Sequence, residues 1–103
     1  MARTRLELQE LFETILESDR VYFQPPENYR LSYPCVVYEF SRTSAAHADN
    51  LAYKQNDEYQ VTVMYRDPDS DLPMKFMGIR GIRMDRTFRA DNVYNTVFNL
   101  AIL

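Results

Sequence analysis

The stretch "EYQVTVMYR", residues 58–66, alternates without a break. Tyr59, Val61, Val63 and Tyr65 fall on one side of an extended chain and Gln60, Thr62, Met64 and Arg66 on the other. A period of two over that many β-branched and aromatic residues suits a half-buried strand and no helix. Whatever this chain folds into must therefore contain a sheet with one covered face.

The segments around it supply the rest. "CVVYEFSR" (35–42) is apolar on both faces at its start and reads as an interior strand. "IRMDRTFRA" (82–90) and "VYNTVFNLAIL" (93–103) read as two further strands, with tight-turn chemistry at Asp91-Asn92 between them. Residues 4–18 read as a helix, because Leu8, Leu11, Phe12, Ile15 and Leu16 form one apolar stripe. Thr4 and Glu7 have capping-box spacing at its start. "DLPMKFMGI" reads as a short second helix. Three prolines in "VYFQPPENYRLSYP" (21–34) exclude a helix and favour an extended, partly polyproline connector carrying Tyr22, Phe23, Tyr29 and Tyr33. "TSAAHADNLAYKQND" (43–57) is small, polar and turn-rich, and reads as a long loop. The order α-β-β-α-β-β predicts a single α+β domain over 1–103. It is a two-layer sandwich with an antiparallel sheet of about four strands and two helices on one face.

Composition narrows the chemistry. Two glycines, Gly78 and Gly81, are too few for a glycine-rich phosphate cradle. The single cysteine, Cys35, permits neither an internal disulfide nor a cysteine-based zinc site, and it fits a reducing compartment or an assembled particle. The first residues lack the continuous apolar region of a signal peptide, and no run approaches the roughly 18 apolar residues of a membrane span.

Charge is unevenly spread. Residues 1–74 hold 7 basic and 13 acidic side chains, a net −6. Residues 75–103 hold 5 basic and 2 acidic, a net +3. Glu10, Glu13 and Glu17 fall off the apolar stripe of the first helix and form an acidic outer face. Glu17 sits near the helix C-terminus, where the dipole disfavours a negative charge. An acidic face meeting a basic face on another copy accounts for this asymmetry, as does a merely solvated surface.

Three candidate sites can be weighed on their spacing. Asp67, Asp69 and Asp71 in "YRDPDSDLP" suggest a metal loop. Calcium-loop spacing from Asp67 would need glycine at Leu72 and glutamate at Gly78, and fails. A strand followed by Asp-x-Asp resembles the start of haloacid-dehalogenase phosphatases, but the later motifs have no room. The same residues read better as a strand stop at Asp67-Pro68 and a helix cap at Asp69 or Ser70. Asp71 and Pro73 then lie in the first turn. His47 beside Asp49 has no nucleophile with it and reads as a plain loop histidine. Arg80, Arg83, Arg86 and Arg89 recur every third residue, a phosphate-binding stripe only on a helix. On a strand they split, Arg80 and Arg86 against Arg83 and Arg89. The acidic chain overall argues against a DNA-binding module. No catalytic residue, metal ligand or cofactor is assigned, and the chain reads as a non-enzyme.

"VYFQPPENYRLSYPCVVYEF", "ADNLAYKQNDEYQVTVMYRDPDSDLPMKFM" and "FRADNVYNTVFNL" resemble the small tail-completion proteins of long-tailed bacteriophages and prophages, the tail terminators or tail-to-head joining proteins. The similarity runs from the N-terminal helix through Leu100. Its most specific pieces are Tyr22-Phe23-Gln24-Pro25-Pro26, Tyr33-Pro34-Cys35 and the Asp67–Asp71 run. The resemblance implies a virion protein of the neck, assembled in the host cytoplasm with no membrane. It implies a hexameric ring that caps the tail tube and ends tube polymerisation. Such a ring docks the head-closure or connector protein and lets DNA through its lumen without reading it. A head-closure or connector-completion role at the portal is the alternative. Ring contacts are expected at Tyr22, Phe23, Pro25, Pro26 and Tyr33, at Glu13, Glu17, Asp69 and Asp71, and at Arg80, Arg83, Arg86 and Arg89.

Overall fold

The computed structural model describes residues 5–26, 30–48 and 51–102, the side chains of 42–57 and 102 excepted. Its elements are α1 (Arg5–Leu16), β1 (Val21–Phe23), β2 (Cys35–Ala48), β3 (Leu51–Tyr65), α2 (Leu72–Phe76), β4 (Ile82–Ala90) and β5 (Val93–Ile102). The strands form one sheet in the order β1-β2-β3-β5-β4. β1 pairs parallel to β2, and the other pairings are antiparallel.

The α+β two-layer architecture agrees with the sequence reading, and the details differ in three ways. The sheet has five strands and is mixed, because Val21–Phe23 leaves the expected connector and adds to the edge of β2. Residues 43–48 and 51–57 are no loop: β2 continues to Ala48 and β3 begins at Leu51, and the two are paired antiparallel. The arginines of β4 are also phased differently, as described below. Thr4, Tyr29 and Asp49, and the side chain of His47, lie outside the described residues.

Both helices cover one sheet face. Leu8, Phe12 and Leu16 are buried from α1 and Leu72 and Phe76 from α2, against Val36, Tyr38, Val61, Val63, Phe98 and Leu100. Phe12 meets Tyr38 edge-on at 5.2 Å and Phe76 at 5.8 Å, and Phe76 stacks on Phe98 at 6.3 Å. Truncating Phe12 to alanine removes this hinge between the layers, at a cost of about 3–5 kcal/mol for a fully buried phenylalanine.

Local chemistry sets the ends. α1 stops at Glu17, whose φ of 59° is left-handed, and the Ser18 amide reaches back to the Glu13 carbonyl at 3.2 Å. That bond is the glycine-type helix terminus, here built on a glutamate. Asp91 and Asn92, at φ 53° and 63°, make the tight β4–β5 turn that their sequence predicts.

Candidate functional site

The edge strand β4 carries three exposed arginines, Arg83, Arg86 and Arg89. Every residue of β4 after Ile82 is exposed. It sits beyond β5 at one edge of the sheet, whereas α1 packs over β1 and β2 towards the other. The pairing with β5 slips between Met84 and Arg86, leaving Asp85 as the extra residue of a bulge. The slip changes which arginines share a face. Arg83 lies opposite Asn99, Arg86 opposite Val97 and Phe88 opposite Asn95, so all three occupy the face turned away from the helices. Arg89 lies opposite Tyr94 on the helix side, and Arg80 precedes the strand in the turn. The expected division of Arg80 and Arg86 from Arg83 and Arg89 is therefore corrected: strict alternation cannot anticipate a bulge.

These arginines differ in freedom. Arg86 pairs with Asp85 at 2.6 Å and sits 5.8 Å from the Phe88 ring centre. Arg89 donates to Asn92 Oδ1 at 3.0 Å and lies over Tyr94 at 5.8 Å. Phe88 and Met84 are 43% and 41% exposed, so apolar surface lies among the cations.

The acidic face is on α1. With Leu8, Phe12 and Leu16 buried, Glu7, Glu10, Thr14 and Glu17 line the exposed side. Leu6, 63% exposed, sits beside them. Glu13 is instead half-buried and accepts from Gln9 Nε2 at 2.9 Å, so it belongs to the flank. Lys75 stands between Glu17 at 4.0 Å and Asp71 at 3.9 Å. All three are substantially exposed, and each pair contributes about 0–1 kcal/mol.

The aspartate run is a turn. Asp67 Oδ1 accepts the Asp69 amide at 2.9 Å, the Asp67 carbonyl accepts Ser70 N at 3.1 Å, and Ser70 Oγ accepts Leu72 N at 3.2 Å. Asp71 holds the N-cap position of α2 without a side-chain bond. Sequence reasoning placed the cap at Asp69 or Ser70; the hydroxyl takes part, and Asp67 closes the preceding turn. Among the described residues no group of three His, Cys, Asp or Glu side chains is arranged to hold a metal ion.

No protein-family model matches the chain, and no curated protein and no solved structure matches it either. The site must be read from its own geometry.

The aromatic connector divides between core and surface. Phe23 packs on Tyr38 at 5.0 Å and Tyr59 at 6.4 Å, with the Arg5 guanidinium 4.8 Å from its ring centre. Tyr22 points to the opposite face in register with Val37. Tyr33 lies under Arg66 at 5.2 Å. Pro25, Pro26 and Leu31 overhang Val37, Thr62 and Met64 on the helix-free face, bounding an open groove of about 240 Å³. Glu39 and Gln60 close one end of it. Among the described residues that line it there is no nucleophile–base pair.

Sequence reasoning missed the exposed apolar residues Leu6, Met84 and Phe88. The last two share the apolar pattern of a covered strand, but the bulge puts them on opposite faces: Met84 lies opposite Phe98 on the helix side at the sheet edge, and Phe88 lies opposite Asn95 on the face turned away from the helices. Among the described residues no helix is long and apolar enough to cross a membrane.

Proposed function

We propose that this chain is a structural protein of the phage neck. It forms a ring, hexameric as in the family it resembles, that caps the tail tube, ends tube polymerisation and joins the tail to the DNA-filled head. The observation that carries the reading is the β2–β3 ribbon. β1 covers the outer side of β2 only as far as Tyr38, and β5 covers β3 only from Asp57 onward. Beyond the Ser44–Asn56 pair the two strands run on with no third strand on either side among the described residues. That is about 15 Å of bare ribbon at a strand rise of about 3.3 Å per residue. It draws the molecule out to 50 Å along one axis against 26 and 23 Å along the others. An isolated two-stranded ribbon is marginal in water. Projecting from a packed body, it suits a protein whose arm is covered by neighbours once assembled.

Electron microscopy of particles carrying a tagged copy tests the reading. A ring of tag density at the head-proximal end of the tube is expected, and loss of the protein should give tubes of uncontrolled length without heads. A single copy per particle, or none, would sink the proposal. Cross-links to the portal rather than the tube protein would move the chain to the head-closure position. A second variant joins Thr43 to Asp57 through Asn-Gly. It should keep a cooperatively melting body and fail to cap tubes.

A further inference from the structure

The helix layer of this protein covers one sheet face, and the connector overhangs only the β2–β3 part of the other. The β4 edge of that second face is exposed and presents Arg83, Arg86 and Phe88, beside the buried Asn95 and Val97 of β5. The outer side of α1 presents the inverse pattern, Leu6 among Glu10 and Glu17. The two patches lie on opposite layers and towards opposite edges of the molecule, so neither can satisfy the other within one chain.

We infer that the outer face of α1 in one copy docks on the exposed β4 face of the next, with Leu6 against Phe88 and glutamates against arginines. The contact is heterologous: the outside of one copy's helix layer meets the uncovered sheet face of its neighbour. Such contacts close into rings when the rotation permits. Charge complementarity selects a second copy as the occupant, because the chain itself carries both signs in separate halves. Glu17 adds a separate argument. It bears a left-handed φ where glycine is preferred, and a negative charge at the dipole's negative end. Lys75 offsets these costs only from 4.0 Å and in solvent. A neighbour's arginine supplies what the fold alone does not.

The contact rests on the ring reading above, and charge reversal tests it separately. One variant carries Arg83→Glu and Arg86→Glu, the other Glu10→Arg and Glu17→Arg. Each alone sets like charges against each other and should lose the ring-sized species seen for wild type, by light scattering on the protein alone or by microscopy on tail tubes. An equimolar mixture pairs each altered face with its complement, so rings of alternating copies should return. A mixture that stays monomeric while wild type forms rings, or single variants that still form rings, overturns the contact and leaves the ring reading standing. Wild type that forms no ring under either condition overturns both. Should a reversed variant melt non-cooperatively, Leu6→Cys with Phe88→Cys replaces it, the native Cys35 being fully buried. Oxidised wild-type-like rings should then show a ladder of 6-to-88 linked chains, and absence of the ladder counts against the contact.

Discussion

The Tyr38 hydroxyl donates to Gln9 Oε1 at 2.6 Å, and this pair ties α1 to the sheet through one side-chain amide. The same amide donates through Nε2 to the Val21 carbonyl and to Glu13 Oε2, both at 2.9 Å. Arg5 reaches the tyrosine oxygen from the helix start at 3.4 Å. A single residue thus joins α1, β1 and β2, beneath a tyrosine that is fully buried.

Gln9→Leu should therefore cost about 1–3 kcal/mol, because it strands both a buried hydroxyl and a strand carbonyl. Tyr38→Phe alone should cost less, about 1 kcal/mol, and the double variant less than the two singles added. Urea unfolding of the four proteins reads the cycle. Strict additivity would show that the amide and the hydroxyl act independently.

The two glycines should respond differently to alanine. Gly81 has φ of 88°, and a Cβ there would lie 2.5 Å from the Ala101 carbonyl oxygen, next to the bond from Ala101 N to Gly81 O at 3.0 Å. Gly81→Ala should lose about 1–3 kcal/mol and open the β4–β5 pairing at its Ile82–Leu100 end. Gly78 has only the Lys75 carbonyl oxygen at 3.7 Å from such a Cβ, so Gly78→Ala should be near neutral. Thermal melts with amide exchange at Ile82 and Leu100 distinguish local fraying from global loss.

How much of this was legible depends on what each residue buries. The alternation of Tyr59 to Tyr65 and the stripe from Leu8 to Leu16 announce their elements, because each covers one side of a single core. Asp91 and Asn92 announce their turn through backbone preference alone. The ribbon over 43–57 was not legible. No apolar period marks its strands, and its small polar residues read as loop. β1 was hidden for another reason: three residues are too few for a period, and only pairing with Val36–Tyr38 makes them a strand. The bulge at Asp85 carries no glycine and no proline, so the rephasing of Arg83 and Arg86 had no sequence signal.

The aspartate loop should behave as a turn rather than a ligand set. Asp67→Ala removes the acceptor of the Asp69 amide and should cost about 0.5–1.5 kcal/mol, whereas Asp69→Asn, whose carboxylate caps nothing, should be silent. Millimolar magnesium or calcium should leave the melting temperature unchanged in wild type and in both variants. A cation-dependent rise that Asp69→Asn abolishes would restore the metal reading.

Cys35 gives the fold a dependence on alkaline pH. Its side chain is fully buried, with Met64 Sδ 3.9 Å from the sulfur. Burial pushes the thiol up from 9.0 to about 11, and the nearby Arg20 charge only partly opposes this. The folded chain therefore keeps the proton at pH values where the unfolded chain has released it. The contribution to stability is complete below pH 9 and disappears as pH rises through about 11. The span corresponds to a loss of up to about 3 kcal/mol. Tyr38 adds to the decline, since burial also raises its hydroxyl above the ordinary 10.0 against the opposing pull of Arg5. Urea unfolding at intervals from pH 8 to 11 should show this decline in wild type and a shallower one in Cys35→Ala. The comparison is between slopes, so the constant cost of the smaller side chain drops out. Parallel slopes would mean that the thiol titrates alike in both states.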